Sequence, residues 1–361
     1  MSSERSSRPR LAWAAILATL GATATAGAQV AEQPREHIRT WDTLDSLHQF
    51  VMYQESGWRL MSRGKFDSAE REFAAAVKVA KRPHITDPRL LARGYSALAW
   101  ALQQQNRLRE AEPLARWALD TRIAQFGPNG EPVARSLNQV AMIYLATDRF
   151  AAAEPLLRQV LAMDGGASEV IENEQAQSES LMGLGLVAQR RYAEGEGAFE
   201  RAVAIRKEAQ GLKHPELGDE LNNLAWAQIE QGKLTEARAT MNQAVKIIRQ
   251  NRGDADVSVA RALDGLARID TEEKQYPQAE VKYRRLISIY EQLGAGEQAR
   301  LDAGLKQYAN LLDQMGRADD AARTRARLAG SRPSPPGVAA NDSNFAPPAF
   351  PKTPVTPPGR P

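Results

Sequence analysis

From residue 44 to residue 329 the chain repeats one arrangement of apolar and polar positions. Two amphipathic stretches are separated by a short polar break such as QQQNRL or EQGKL. Within Leu221–Ile229 the helical-spacing positions Leu221, Leu224 and Ala225 are apolar and Gln228 is not, as expected for one face of a helix. Asp87-Pro88, Gly127-Pro128-Asn129-Gly130 and His214-Pro215 punctuate the pattern where new helices should start. Sustained β-branched alternation is absent, so the pattern predicts an all-α chain.

The period is 42 residues. Stepping from Ala69 gives Ala111, Ala153, Gly195, Ala237, Ala279 and Ala321, with no insertion. Twelve residues before each of these anchors stand Gly57, Ala99, Ala141, Gly183, Ala225, Ala267 and Ala309. Three before come Phe66, Leu108, Phe150, Tyr192, Leu234, Tyr276 and Ala318; seven after come Ala76, Ala118, Val160, Ala202, Ala244, Leu286 and Leu328. Small residues at two fixed places let helix backbones approach, and the large apolar residue beside them fills the wedge. Such a period predicts stacked helix pairs sharing one continuous core.

With HPELGDELNNLAWAQIEQGKLTEARATMNQAV (214–245) and EPVARSLNQVAMIYLATDRFAAAEPLLRQVL (131–161), the chain resembles tetratricopeptide repeat proteins of the 42-residue kinesin-light-chain type. The resemblance covers about residues 44–329 and implies an α-solenoid of about seven helix-turn-helix repeats wound into a right-handed superhelix. Glu179, Gly195 and Arg325 depart from the pattern, and Arg323, Arg325 and Arg327 suit the polar outer face of a capping helix.

In this family the first helices form a concave inner face. The resemblance therefore turns inward the residues eleven before each anchor: Trp58, Trp100, Met142, Leu184 and Trp226, then Arg268 and Asn310. Eight before the anchor lie Met61, Gln103, Leu145, Val187 and Ile229, then Thr271 and Asp313. The strip is largely apolar through five repeats and polar in the last two. Packing between repeats would also account for a stripe at helical spacing, but the wedge positions already have their own register, which favours exposure. Large, adaptable side chains in a concavity suit a peptide or helix. The resemblance also turns Asn138 and Asn222 toward the backbone of an extended peptide, while Asn223 ties adjacent helices. Arg93, Arg135 and Arg261 lie near the inner rim without repeating the pattern of a terminal-carboxylate clamp.

Composition narrows the chemistry. Cysteine is absent, excluding disulfides, thiol catalysis and cysteine-ligated metal sites. The four histidines are far apart, with His84 and His214 in loops before helices. HExxH, GxSxG and GxxxxGK[ST] are all missing, so the chain is expected to be non-enzymatic and to need no cofactor or metal. The formal charge is +3, but Arg5, Arg8 and Arg10 against Glu4, and Arg332, Lys352 and Arg360 against Asp342, account for more than all of it. No basic face for a nucleic acid is indicated.

Those charges belong to the two ends. A polar start with three arginines, the small apolar run Leu11–Ala26 and Ala26-Gly27-Ala28 before Gln29 form a secretory signal-peptide pattern, expected to span 1–28. An uncleaved anchor is the alternative, though the run is shorter than the roughly 20 residues a span needs. Residues 29–43 are expected as a linker and 330–361 as a proline-rich disordered tail, holding 10 of the 20 prolines. The expectation is an exported, bacterial periplasmic scaffold, not stably inserted in the membrane after cleavage, that binds a peptide or helical segment of another protein. A glycan- or small-ligand-recognising accessory subunit is the alternative, and self-association through the exposed ends a third reading.

Overall fold

The computed structural model describes residues 33–330 apart from 165–167 and 213. The expected leader and the tail beyond Gly330 lie outside the described residues. Those described form fourteen α-helices in seven consecutive pairs, and no strand. The pairs are α1 (Gln33–Ser62) with α2 (Phe66–Ala80), α3 (Pro88–Gln104) with α4 (Leu108–Phe126), and α5 (Glu131–Ala146) with α6 (Phe150–Leu161). Next come α7 (Glu169–Ala188) with α8 (Tyr192–Gln210), α9 (Pro215–Glu230) with α10 (Leu234–Arg252), and α11 (Val257–Glu272) with α12 (Tyr276–Leu293). The last pair, α13 (Gln298–Gln314) and α14 (Ala318–Gly330), follows a 3-10 turn at Ala295–Glu297. α1 corrects the boundary read from the sequence: residues 33–43, expected as linker, are helical. Pro34 falls in the first turn, where a missing N–H costs nothing.

Every second helix begins three residues before its anchor, so the 42-residue step sets the structural repeat. The turn between the two helices of a pair is the same seven times. One residue takes the left-handed conformation: Gly64, Asn106, Asp148, Arg190, Gly232, Lys274 and Gly316, with φ between 56° and 74°. The next residue returns its N–H to a carbonyl five residues back, from Lys65 to Leu60 at 2.9 Å through to Arg317 to Leu312 at 2.9 Å. This Schellman closure satisfies orphan carbonyls at the end of the first helix. The loops between pairs vary more. Asp87 and Asp256 cap α3 and α11 by accepting backbone N–H bonds at 2.9 and 2.8 Å, and His214 caps α9 through Nδ1.

The small residues lie where the helices cross. All anchors and all residues twelve before them are buried. In four repeats the size of the second small residue matches its partner four after the anchor. Gly57 and Gly183 face Phe73 and Phe199, whereas Ala141 is paired with Leu157 and Ala225 with Met241. A Cβ at Gly57 would overlap the Phe73 ring, and one at Gly183 would stand 2.7 Å from that of Phe199. In these four pairs a larger partner goes with a smaller residue at the crossing.

Charges brace the outside. A glutamate one after the anchor reaches the basic residue that opens the second helix of the next repeat. The pairs are Glu70–Arg107 at 2.7 Å, Glu112–Arg149 at 2.6 Å, Glu196–Lys233 at 2.5 Å and Glu280–Arg317 at 2.9 Å. Between repeats five and six the polarity reverses. Arg238 stands where glutamate is expected and pairs with Asp270 and Glu273, both at 2.7 Å, and Gln275 takes the basic position. At the end of the array Arg325 pairs with Asp313 on an exposed face, as a capping helix requires.

Candidate partner-binding face

The first helices carry the apolar strip, and the structure gathers most of its first four repeats into one patch, with Trp226 and Ile229 in a separate cluster. Trp100 and Met142 are buried among Leu181, Met182 and Leu186, with Trp58, Met61, Leu145 and Leu184 half-buried around them. Trp58 stands edge-on to Phe73, with ring centroids 5.2 Å apart. Six side chains of the strip, from four successive repeats, meet here. The expected exposure is nevertheless corrected for six positions: Trp100 (9% exposed), Met142 (4%), Trp226 (8%) and Ile229 (2%) belong to the core, and Gln103 and Val187 are buried with them. Successive first helices approach closely enough for a side chain eleven before the anchor to lie over its neighbour, as α5 does with α7 and α9 with α11. In the first four repeats only Trp58, Met61, Leu145 and Leu184 of the apolar strip keep surface to offer, and Trp226 reaches the outside only where it lines the recess described below.

The asparagines are corrected as well. Asn138 donates through Nδ2 to the Glu174 carbonyl at 2.8 Å and accepts at Oδ1 from Ser178 at 2.6 Å. Asn222 donates to the Ser258 carbonyl at 3.0 Å. Both are buried and both acceptors lie 36 residues onward, on the next first helix. They hold repeats together, at about 1 kcal/mol per bond. Asn223 has the tying role expected of it, contacting Ser180 and accepting from Arg261 at 3.0 Å.

Beside the patch lies an arginine cluster that the sequence reading only partly found. Arg122 reaches from α4 to the hydroxyls of Ser96 on α3 and Ser136 on α5, and its Nε and Nη2 have no partner among the described residues. Burial and the like charges of Arg135 and Arg93 push its guanidinium down to about 10. Arg135 is paired with Glu174 at 3.0 Å, and Arg93, over the Phe50 ring, has no acceptor among the described residues. Two repeats on, the equivalent Arg206 is compensated by Glu216 at 2.5 Å and Glu220 at 3.7 Å. Pro132 and Ser136 stand where Glu216 and Glu220 do, and those two differences leave Arg122 without a carboxylate.

In the last repeats the strip opens into a recess of about 200 Å³ between α9, α11, α12 and α13. Trp226, Asp264, Arg268, Tyr283, Gln307 and Asn310 are among its lining residues. Arg268 bonds Glu230 at 2.5 Å and Glu272 at 3.2 Å, and lies 6.0 Å from the centre of the Trp226 ring. Asp264 occupies the repeat position of Asn138 and Asn222, yet makes no hydrogen bond or ion pair with any described residue. Burial raises its carboxyl to about 6, opposed by the charge of Arg268. Among the described residues no group of three or more His, Asp or Glu could hold a metal ion, and no helix is long and apolar enough to cross a membrane.

Sequence models described as tetratricopeptide repeat match residues 91–130 and 133–163, and residues 174–250 and 229–292. No curated protein matches the chain. Among solved structures, the apo form of the quorum sensor NprR from B. thuringiensis is similar with a TM-score of 0.65. It is 13% identical, over 79% of this chain and 76% of that one. Aspartyl phosphate phosphatase F from Bacillus subtilis has a TM-score of 0.61 at 14% identity, over 84% and 75% of the two chains. A Rap protein complexed with competence and sporulation factor has a TM-score of 0.56 at 17% identity, over 78% and 74%. At these identities the likeness is one of fold.

Proposed function

Because the chain belongs to the tetratricopeptide repeat family, we propose that it is a non-enzymatic interaction scaffold of the bacterial cell envelope, receiving an extended or helical segment of another protein on its first-helix face. The observation that carries this reading is the apolar patch built from four repeats, whose buried floor of Trp100 and Met142 is rimmed by Trp58, Met61, Leu145 and Leu184. A fixed floor with a half-buried rim offers contact area that is already ordered, so association costs little side-chain entropy. The unpaired donors of Arg93 and Arg122 favour a carboxylate on the same segment. The Rap protein, seen with competence and sporulation factor, is a protein of this fold that takes a partner. The leader pattern before Gln29 supports an exported location.

The test is a paired capture from envelope extract. One bait is residues 29–361; the other carries Met61→Glu, Leu145→Glu and Leu184→Glu, which charge the rim and spare the buried floor. Circular dichroism must show equal helicity. Retention of one partner by the first bait and its loss from the second is the expected result. Capture of the same proteins by both would overturn the assignment of this face.

A further inference from the structure

We propose that the recess between repeats five, six and seven binds an alkyl cation, the lysine or arginine side chain of the partner segment, with Asp264 as its counter-ion and the Trp226 ring as its platform. The inference deepens the scaffold reading and rests on it.

Two other repeats offer a comparison. At the position fifteen before the anchor, Asn138 and Asn222 each donate to a carbonyl on the next first helix, and those helices pack directly, α5 on α7 and α9 on α11. Repeat six has Asp264 there instead. An ionised carboxylate has no proton to donate to a carbonyl, so the rung is missing. Here α11 and α13 scarcely touch, and the gap between them is the recess. A half-buried carboxylate without a hydrogen-bonding partner is costly to keep. Asp264 lines an open cavity rather than solvent at large, so a cation entering that cavity is what would offset the cost. The surroundings suit one. Glu230, Asp264 and Glu272 outnumber the single guanidinium of Arg268, which the two glutamates already occupy. The exposed Asn310 adds an amide to the far wall. A carboxylate beside an indole face is a favourable setting for an alkylammonium group.

The probe is n-butylammonium, with n-butanol as its neutral counterpart, titrated into the full chain labelled with 5-fluorotryptophan. The Trp226 fluorine resonance is identified by its absence from Trp226→Phe. The expected result is a saturable shift of that resonance with n-butylammonium and none with n-butanol. Asp264→Asn should weaken the binding by at least ~10-fold, the value of one charge-assisted contact, and Asp264→Glu should restore part of it. Asp264→Asn is isosteric and Asp264→Glu adds one methylene, and unaltered circular dichroism shows that both fold. No saturable shift, or equal binding by Asp264→Asn, would overturn the recess assignment. The two readings fail separately: butylammonium bound at Asp264 with no partner retained by the rim leaves the recess standing and removes the scaffold. A partner retained by the rim without cation binding does the reverse.

Discussion

Gly183→Ala tests whether the paired volumes at the helix crossings set the packing. A Cβ there would meet three Phe199 ring atoms at 2.7–2.8 Å, and the ring is completely buried, with no exposed end to swing aside. Ordinary contact needs a movement of about 0.7 Å, and overpacking of this kind costs about 1–3 kcal/mol. Replacing a helical glycine by alanine returns about 1 kcal/mol. The net expectation is a loss of up to about 2 kcal/mol. In a Phe199→Leu background the same change should stabilise by up to about 1 kcal/mol. An alanine and a leucine at these two sites would reproduce the Ala141–Leu157 pair of repeat three, in which both side chains are fully buried. The sign of the effect reverses with its partner, a coupling of about 2 kcal/mol that a double-mutant cycle resolves. Repeat arrays unfold in parts, so urea titration of the helical signal should be joined by hydrogen exchange of α7 and α8. An effect of the same sign and size in both backgrounds would refute the argument.

Three further outcomes are expected. Arg190 and Lys274 hold φ of 60° and 62° with exposed side chains, so Arg190→Gly and Lys274→Gly should each raise stability by about 0.5–1 kcal/mol. Alanine at either site should give no gain, and equal gains from alanine and glycine would exclude backbone relief as the cause. The carboxyl of Asp264, raised to about 6, makes the folded state the better proton binder. Its contribution is full below the unfolded value of 3.8 and lost as pH rises through about 6. Asp264→Asn should therefore stabilise the fold at pH 7.5 by about 1–2 kcal/mol after discounting for partial exposure, read as a higher melting temperature, and change nothing near pH 3. Asp270, its side chain 1% exposed, keeps only Lys282 when Arg238 is removed. Arg238→Ala should cost about 2 kcal/mol in urea unfolding, and a loss under about 0.5 kcal/mol would show the reversed pair to be surface decoration.

Most of the architecture could be read from residue types at a fixed step, because a helix crossing imposes a local size limit and a turn imposes a local dihedral. Gly57, Ala99 and their equivalents are legible for that reason, as is each boundary near His214-Pro215 or Asp87-Pro88. The binding face was less so. Periodicity says which side of a helix Trp100 or Trp226 occupies, but not how near the next first helix comes, and that distance decides between floor and surface. The acceptors of Asn138 and Asn222 lie 36 residues away, beyond any local pattern. Arg122 was legible in principle: a step of two repeats reaches Arg206, and comparing Pro132 and Ser136 with Glu216 and Glu220 shows which of the two lacks carboxylates. Asp264 interrupts the asparagine positions in the same way, visible as a substitution but interpretable only once α11 and α13 are seen apart.

The reversed charge between repeats five and six gives the array a direction and a count. The four glutamate braces are interchangeable, so losing a repeat among them would bring a glutamate against another basic residue. Loss of repeat six would instead set Arg238 against Arg317, and loss of repeat five would set Glu196 beside Gln275 and Glu273. A misaligned second copy of the chain meets the same obstacle. In a polymer of nearly equivalent units, one inverted junction marks a place, and the number of units on either side of it becomes a property that electrostatics can enforce.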